Sequence, residues 1–130
     1  MTTVIARYDA LVAASELTPD ADQRAAALRL TRLQEELEAA PRRGSVLWRM
    51  LRKSPEPVRG VYMWGGVGRG KSMLMDLLRD CLEGTARRRT HFHEFMLDVH
   101  ARLRTARESE SGDPIPPVAS ASAADVRVLL

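Results

Sequence analysis

Four glycines within six residues, at positions 65, 66, 68 and 70, lead straight into Lys71 and Ser72. The octapeptide "GGVGRGKS", comprising Gly65, Gly66, Val67, Gly68, Arg69, Gly70, Lys71 and Ser72, fits the pattern G-x-x-x-x-G-K-[ST]. Glycines let successive backbone N–H groups turn toward one centre, where they attract an anion. A lysine ammonium at the end of the turn adds a full positive charge, and a serine hydroxyl beside it suits a hard cation. These are the parts of a nucleoside triphosphate cradle, with Lys71 reaching the β- and γ-phosphates and Ser72 a ligand to Mg2+. With glycine at about 7% of residues, a chance match in a chain this short falls below roughly one in a hundred. Arg69 is read as facing solvent rather than phosphate.

Such a cradle has to sit where a strand passes into a helix. The preceding "VYMW", residues 61–64, is apolar at every position and fits a central strand of a parallel sheet covered on both faces. Lys71 to Leu82 reads as a helix with Met73, Leu74, Leu77, Leu78 and Leu82 on a wide apolar face, stopped at Gly84. "ARRRTHFHEFM" is expected to hold a second strand and "LDVHARLRTA" a further helix. Residues 109–125 read as a loop with a short helical turn among their alanines, and "VRVLL" as the start of another buried strand.

Upstream, "VIARYDALVAA" places Ile5, Tyr8, Leu11 and Val12 at helical spacing. Thr18, Pro19 and Asp20 have the order of an N-cap, a first-turn proline and a first-turn acid, so a second helix should begin there. Ala26, Leu30, Leu33 and Leu37 form its apolar stripe, and it should end before Pro41. The chain thus divides into an N-terminal helical segment (1–40), a basic proline-containing connector (41–57) and the phosphate-binding part (58–130). In the connector, Trp48 beside Arg49, Arg52 and Lys53 suits either a membrane-surface helix or a short helix packed on the domain. The second is preferred, because one and a half turns bury too little area to hold a membrane.

A hydrophobic fraction of 45% with 28% charged residues is that of a globular protein, and a net charge of +3 only weakly favours an anionic partner. Cys81 stands alone in an apolar helical run, which fits a buried thiol in a reducing compartment. No stretch approaches the roughly 18 apolar residues of a membrane span, and the first twenty residues lack a secretory core. A cytoplasmic location is therefore expected.

Other clusters are weaker. His91 and His93 would share one strand face near Glu94 and His100, but a transition metal needs further ligands in fixed geometry. Phe95 and Met96 could grip a polypeptide from a loop after the second strand, although core positions of the next helix suit them better. Glu94 and Asp98 have helical spacing but stand on the wrong element for catalytic acids. Arg87, Arg88 and Arg89 with Arg102, Arg104 and Arg107 lack an interleaved aromatic to stack a base, so a solvated face is expected and no nucleic-acid partner.

Four blocks, "YDALVAASELTPDADQRAAALRL", "GVYMWGGVGRGKSMLMDLL", "RRTHFHEFMLDVHARLR" and "DPIPPVA", resemble the N-terminal part of the ZapE cell-division ATPase family, which is related to the mitochondrial lactation-elevated type. The resemblance implies an α/β fold: an AAA+-like P-loop parallel sheet with flanking helices, incomplete here and preceded by an N-terminal helical pair. It also implies ATP and Mg2+ as ligands, hydrolysis coupled to remodelling of a protein substrate such as the tubulin-like division-ring polymer, and a homo-oligomeric ring. Peripheral membrane association is an expectation that rests on the connector's Trp48 and its basic neighbours. In the family a strand like "VRVLL" runs on into an Asp-Glu pair, whereas this sequence ends at Leu130. These 130 residues alone are thus expected to bind ATP weakly and turn it over poorly. Two alternatives stay open: a non-hydrolysing nucleotide-binding module and a small P-loop phosphotransferase.

Overall fold

The computed structural model describes residues 2–40, 56–109 and 112–130. The chain divides into two compact units, Met1–Glu83 and Gly84–Leu130. The connector's Trp48, Arg49, Arg52 and Lys53 lie outside the described residues.

Among its described residues the first unit packs three helices: α1 (Val4–Ala13), α2 (Ala21–Ala39) and α3 (Lys71–Cys81). Its core is aliphatic, with Val4 and Tyr8 from α1, Ala27, Leu30, Leu33 and Leu37 from α2, and Leu74, Leu77, Leu78 and Cys81 from α3, closed by Leu82. The stripe on α2 matches the expected one except that Ala27, not Ala26, is buried. The α2 cap is Asp20 rather than Thr18: its carboxylate accepts from the N–H groups of Asp22 and Gln23 at 2.9 and 3.0 Å. A carboxylate that reaches two orphan donors wins over a hydroxyl two residues earlier, and Pro19 then precedes the cap instead of following it. Helix α1 starts at Thr3, whose hydroxyl accepts from Ala6 N–H at 3.3 Å. It ends in a Schellman motif, with Ser15 N–H donating to Val12 O at 3.0 Å and Glu16 N–H to Leu11 O at 2.9 Å. Ser15 there has φ +59°, a left-handed backbone usually held by glycine.

Two polar residues on the buried face of α2 fasten the three helices together. Gln34, 1% exposed, accepts from Val4 N–H at 3.1 Å and donates to Thr2 O at 3.0 Å and to Cys81 O at 3.3 Å. The Thr31 hydroxyl accepts from Ile5 N–H and donates to Ala27 O, both at 2.9 Å. The Val4 and Ile5 amides at the start of α1 and the Cys81 carbonyl at the end of α3 are thereby bonded inside the protein.

The second unit runs β1 (Arg87–Arg88), α4 (Phe92–Ser109), α5 (Ile115–Asp125) and β2 (Val128–Leu129). β1 and β2 pair in parallel, Arg87 opposite Val128 and Arg88 opposite Leu129. The ladder is extended by Arg127 N–H to Ala86 O at 2.8 Å and Thr90 N–H to Leu130 O at 2.9 Å. Asp98 on α4 ties Arg88 of β1 (3.4 Å) to Arg102 of its own helix (3.2 Å), and Arg102 also reaches Asp125 of α5 at 3.4 Å.

Three expectations are corrected here. Residues 61–64 form no strand, and Tyr62 and Trp64 are 88% and 83% exposed. A doubly covered strand exists only through neighbours that pair with it, and among the described residues the paired strands are β1 and β2, with each other. The second strand is only Arg87–Arg88, because the chain turns helical at Phe92. Residues 115–125 form a full helix rather than a loop; Pro116 and Pro117 fall in its first turn, where a missing N–H costs no internal bond. Among the described residues the fold is therefore mostly helical with one small parallel two-stranded sheet.

Gln34→Leu keeps the side chain's size but leaves Val4 N–H buried without a partner and removes the side-chain bond to Cys81 O. Urea unfolding is expected to show a loss of about 2–3 kcal/mol with an unchanged slope. Ser15→Gly removes the left-handed strain and is expected to stabilise by about 1 kcal/mol, read as a raised thermal midpoint.

Candidate functional site

The glycine segment enters α3 through a left-handed junction. Gly68 and Gly70 have φ +80° and +85°, values that strain any residue with a β-carbon. Gly70 is the N-cap of α3 and offers no side chain to bond the first-turn amides. The helix makes its first internal bond from Leu74 N–H to Gly70 O at 3.0 Å. No acidic side chain occupies its first turn, so the partial positive charge of the helix start is not neutralised from within the helix.

The Lys71 ammonium folds back over the loop. It donates to Gly65 O at 2.9 Å and to Gly66 O at 2.6 Å. An ammonium has three donors, so its remaining proton and the α3 amides are the groups that an oxyanion can engage. Ser72, exposed in the first turn, follows directly. This donor set fits a polyphosphate: backbone amides, one ammonium and a helix N-terminus, with a hydroxyl for an accompanying hard cation. Val67 is fully exposed at the loop tip.

Helix α2 braces the loop from one side, through residues that the sequence pattern did not single out. The Gln23 amide donates to Arg69 O at 3.1 Å. The Arg69 guanidinium turns outward to Asp22 Oδ2 at 3.3 Å, an exposed pair of small energetic weight. A β-carbon on Gly70 would stand 2.7 Å from Gln23 Nε2, closer than such atoms approach. One signal was available: Asp20 followed three residues later by Gln23 is a capping-box spacing. In that motif the Gln side chain would bond the cap's own N–H. Here the Tyr8 hydroxyl accepts from Asp20 N–H at 3.3 Å, which releases Gln23 to reach the loop.

The other sequence candidates do not converge. His91 lies just ahead of α4 and His93 in its first turn, both exposed, so they share no strand face. No group of three His, Cys, Asp or Glu that could hold a metal occurs among the described residues. Phe95 and Met96 are half-buried within α4, not on a loop. Asp98 is engaged by Arg88 and Arg102, and that network also breaks up the arginine cluster as a uniform basic surface. Cys81 is buried; desolvation pushes its thiol above the ordinary value, with Arg7 opposing and Asp80, Glu38 and Glu83 reinforcing. No helix of the described residues is long and apolar enough to cross a membrane.

Comparison with known proteins gives this geometry a family. The chain is 41% identical over 122 residues to cell division protein ZapE of Escherichia coli K12, covering 85% of this chain and 32% of that protein. It is 43% identical over 74 residues to lactation elevated protein 1 homolog B of Danio rerio, covering 50% of this chain and 15% of that protein. The chain thus spans about a third or less of the length of these relatives. No solved structure matches it. The AFG1-like ATPase family model matches residues 2–130, and the chain belongs to that family.

Proposed function

We propose that Gly65, Gly66, Val67, Gly68, Arg69, Gly70, Lys71 and Ser72 form the phosphate-binding loop for ATP in a protein that couples hydrolysis to remodelling of a protein substrate. The observation that carries the reading is the uncapped start of α3 behind two left-handed glycines, with Lys71 Nζ poised over the same loop. Binding exchanges the Gly65 and Gly66 carbonyls for phosphate oxygens at the Lys71 ammonium, a charge-assisted bond in place of neutral ones. The α3 amides and helix pole hold the anion, and the small side chains leave room for close backbone approach. Magnesium, when bound with the nucleotide, would take Ser72 Oγ as its protein ligand and spread the phosphate charge.

The name of the Escherichia coli relative supports a setting in bacterial cell division. A homo-oligomeric ring, a division-ring polymer as substrate, peripheral membrane contact and a cytoplasmic location belong to this proposal. So does the division into 1–40, 41–57 and 58–130. Phosphoryl transfer also needs a group that positions the attacking water. Asp98 is occupied by two arginines and Glu94 is exposed in the first turn of α4, which supports binding with slow turnover by these 130 residues alone.

Lys71→Ala is expected to lower ATP affinity by roughly 100-fold or more, measured by calorimetry with magnesium present, with the far-UV spectrum unchanged. Equal affinity in the two proteins contradicts the assignment. Gly70→Ala places a β-carbon on a left-handed backbone and against Gln23, and is expected to reduce both ATP affinity and the urea midpoint.

A further inference from the structure

We infer that Gln23, on α2, is a positioning residue for the phosphate loop: it sets the direction of the Gly70 amide and so links the N-terminal helices to triphosphate binding. The inference rests on the loop's assignment to phosphate made above. In a trans peptide the carbonyl and the following N–H point in opposite directions. Gln23 Nε2 holds the Arg69 carbonyl toward α2 at 3.1 Å, so the Gly70 N–H of the same peptide points away from α2. That amide is the last one before α3, in the stretch where a phosphate nest needs its donors aligned.

The Gln23 amide is itself oriented at its other end. Its Oε1 lies 3.4 Å from the Tyr8 hydroxyl, and Tyr8 is 1% exposed. The same hydroxyl lies 3.2 Å from Asp20 O and accepts from Asp20 N–H, so it is fixed by the first turn of α2. The single Tyr8 proton has Asp20 O as its nearer acceptor, and the Gln23 amide keeps one orientation because only its nitrogen can donate to the Arg69 carbonyl. Gly70 completes the fit, since any β-carbon there would displace Gln23 Nε2. The chain of contacts runs from the α1 core residue Tyr8 through Gln23 to the loop peptide. Glutamate at 23 has nearly the same shape but cannot donate to the Arg69 carbonyl, and it would add a negative charge beside an anion site.

The test titrates the 130-residue chain with ATP and, separately, with inorganic tripolyphosphate, both with magnesium. Gln23→Leu is expected to weaken both ligands by the same factor, about 5- to 10-fold, while helix content and urea midpoint stay those of the wild type. Gln23→Glu is expected to weaken both further. Unchanged tripolyphosphate affinity in Gln23→Leu overturns the proposal, whether ATP affinity holds or falls; a fall for ATP alone would make Gln23 a reader of the nucleoside instead. Should Gln23→Leu not fold, Gln23→Glu decides in the same way. Wild-type chain that binds neither ligand removes the phosphate-loop assignment itself, whereas loss in Lys71→Ala with retention in Gln23→Leu removes only the role of Gln23.

Discussion

The first unit is organised around one backbone constraint, the left-handed turn at Gly70 that starts α3. A residue with a side chain there would bring either a β-carbon clash or a cap for the first-turn amides. Glycine brings neither. The turn therefore leaves the helix start uncapped and also lets α2 approach until Gln23 touches the loop. Lys71 follows immediately, and its ammonium finds the Gly65 and Gly66 carbonyls because the turn has folded them back toward it. Positive charge and open donors are concentrated at one place by conformation more than by composition, since the whole chain carries only +3.

The polar residues of α2 explain how the two short helices α1 and α3 stay docked on it. α1 has ten residues and α3 eleven, lengths at which an isolated helix is marginal in water. Aliphatic contacts supply most of the attraction, but their direction is loose. Thr31 and Gln34 add hydrogen bonds that are satisfied only in one register, tying the start of α1 and the end of α3 to fixed points on α2. Tyr8 and Asp20 do the same at the other end of the pair. The loop inherits that register, because Gln23 stands one turn from Ala27, whose side chain is buried in the shared core.

The glycine turn into α3, the segment proposed to hold phosphate, stood out in the sequence because few other roles demand its residue types together: glycines at 68 and 70, then lysine and serine. The helices at α1, α2 and α3 were legible from their apolar spacing, and Val128–Leu129 from its run of branched residues. Gln23, Thr31 and Gln34 were not, since a polar residue on an amphipathic helix reads as solvent-facing unless its partners are known. Those partners are 46, 26 and 47 positions away for Arg69, Ile5 and Cys81. The α2 cap was misplaced by two residues because Thr18, Pro19 and Asp20 satisfy the local rule for two starting points; tertiary contact with Tyr8 selects Asp20.

The apolar run at 61–64 and the arginine run at 87–89 show the same limit from opposite sides. "VYMW" has the composition of a buried strand and has no ladder, whereas Arg87–Arg88 has the composition of a solvated surface and is a strand. Strand formation depends on a partner in register, and β1 has one in β2, with Arg88 further held by Asp98. A charged side chain on a small sheet costs little when its head reaches a carboxylate at the edge and its stem lies along the neighbouring surface. An apolar side chain in an unpaired segment has no such recourse, which is why Tyr62 and Trp64 stand exposed beside a loop whose geometry is otherwise fixed by α2 and α3. The loop's conformation is thus set from its helical side, by Gly70, Gln23 and Lys71.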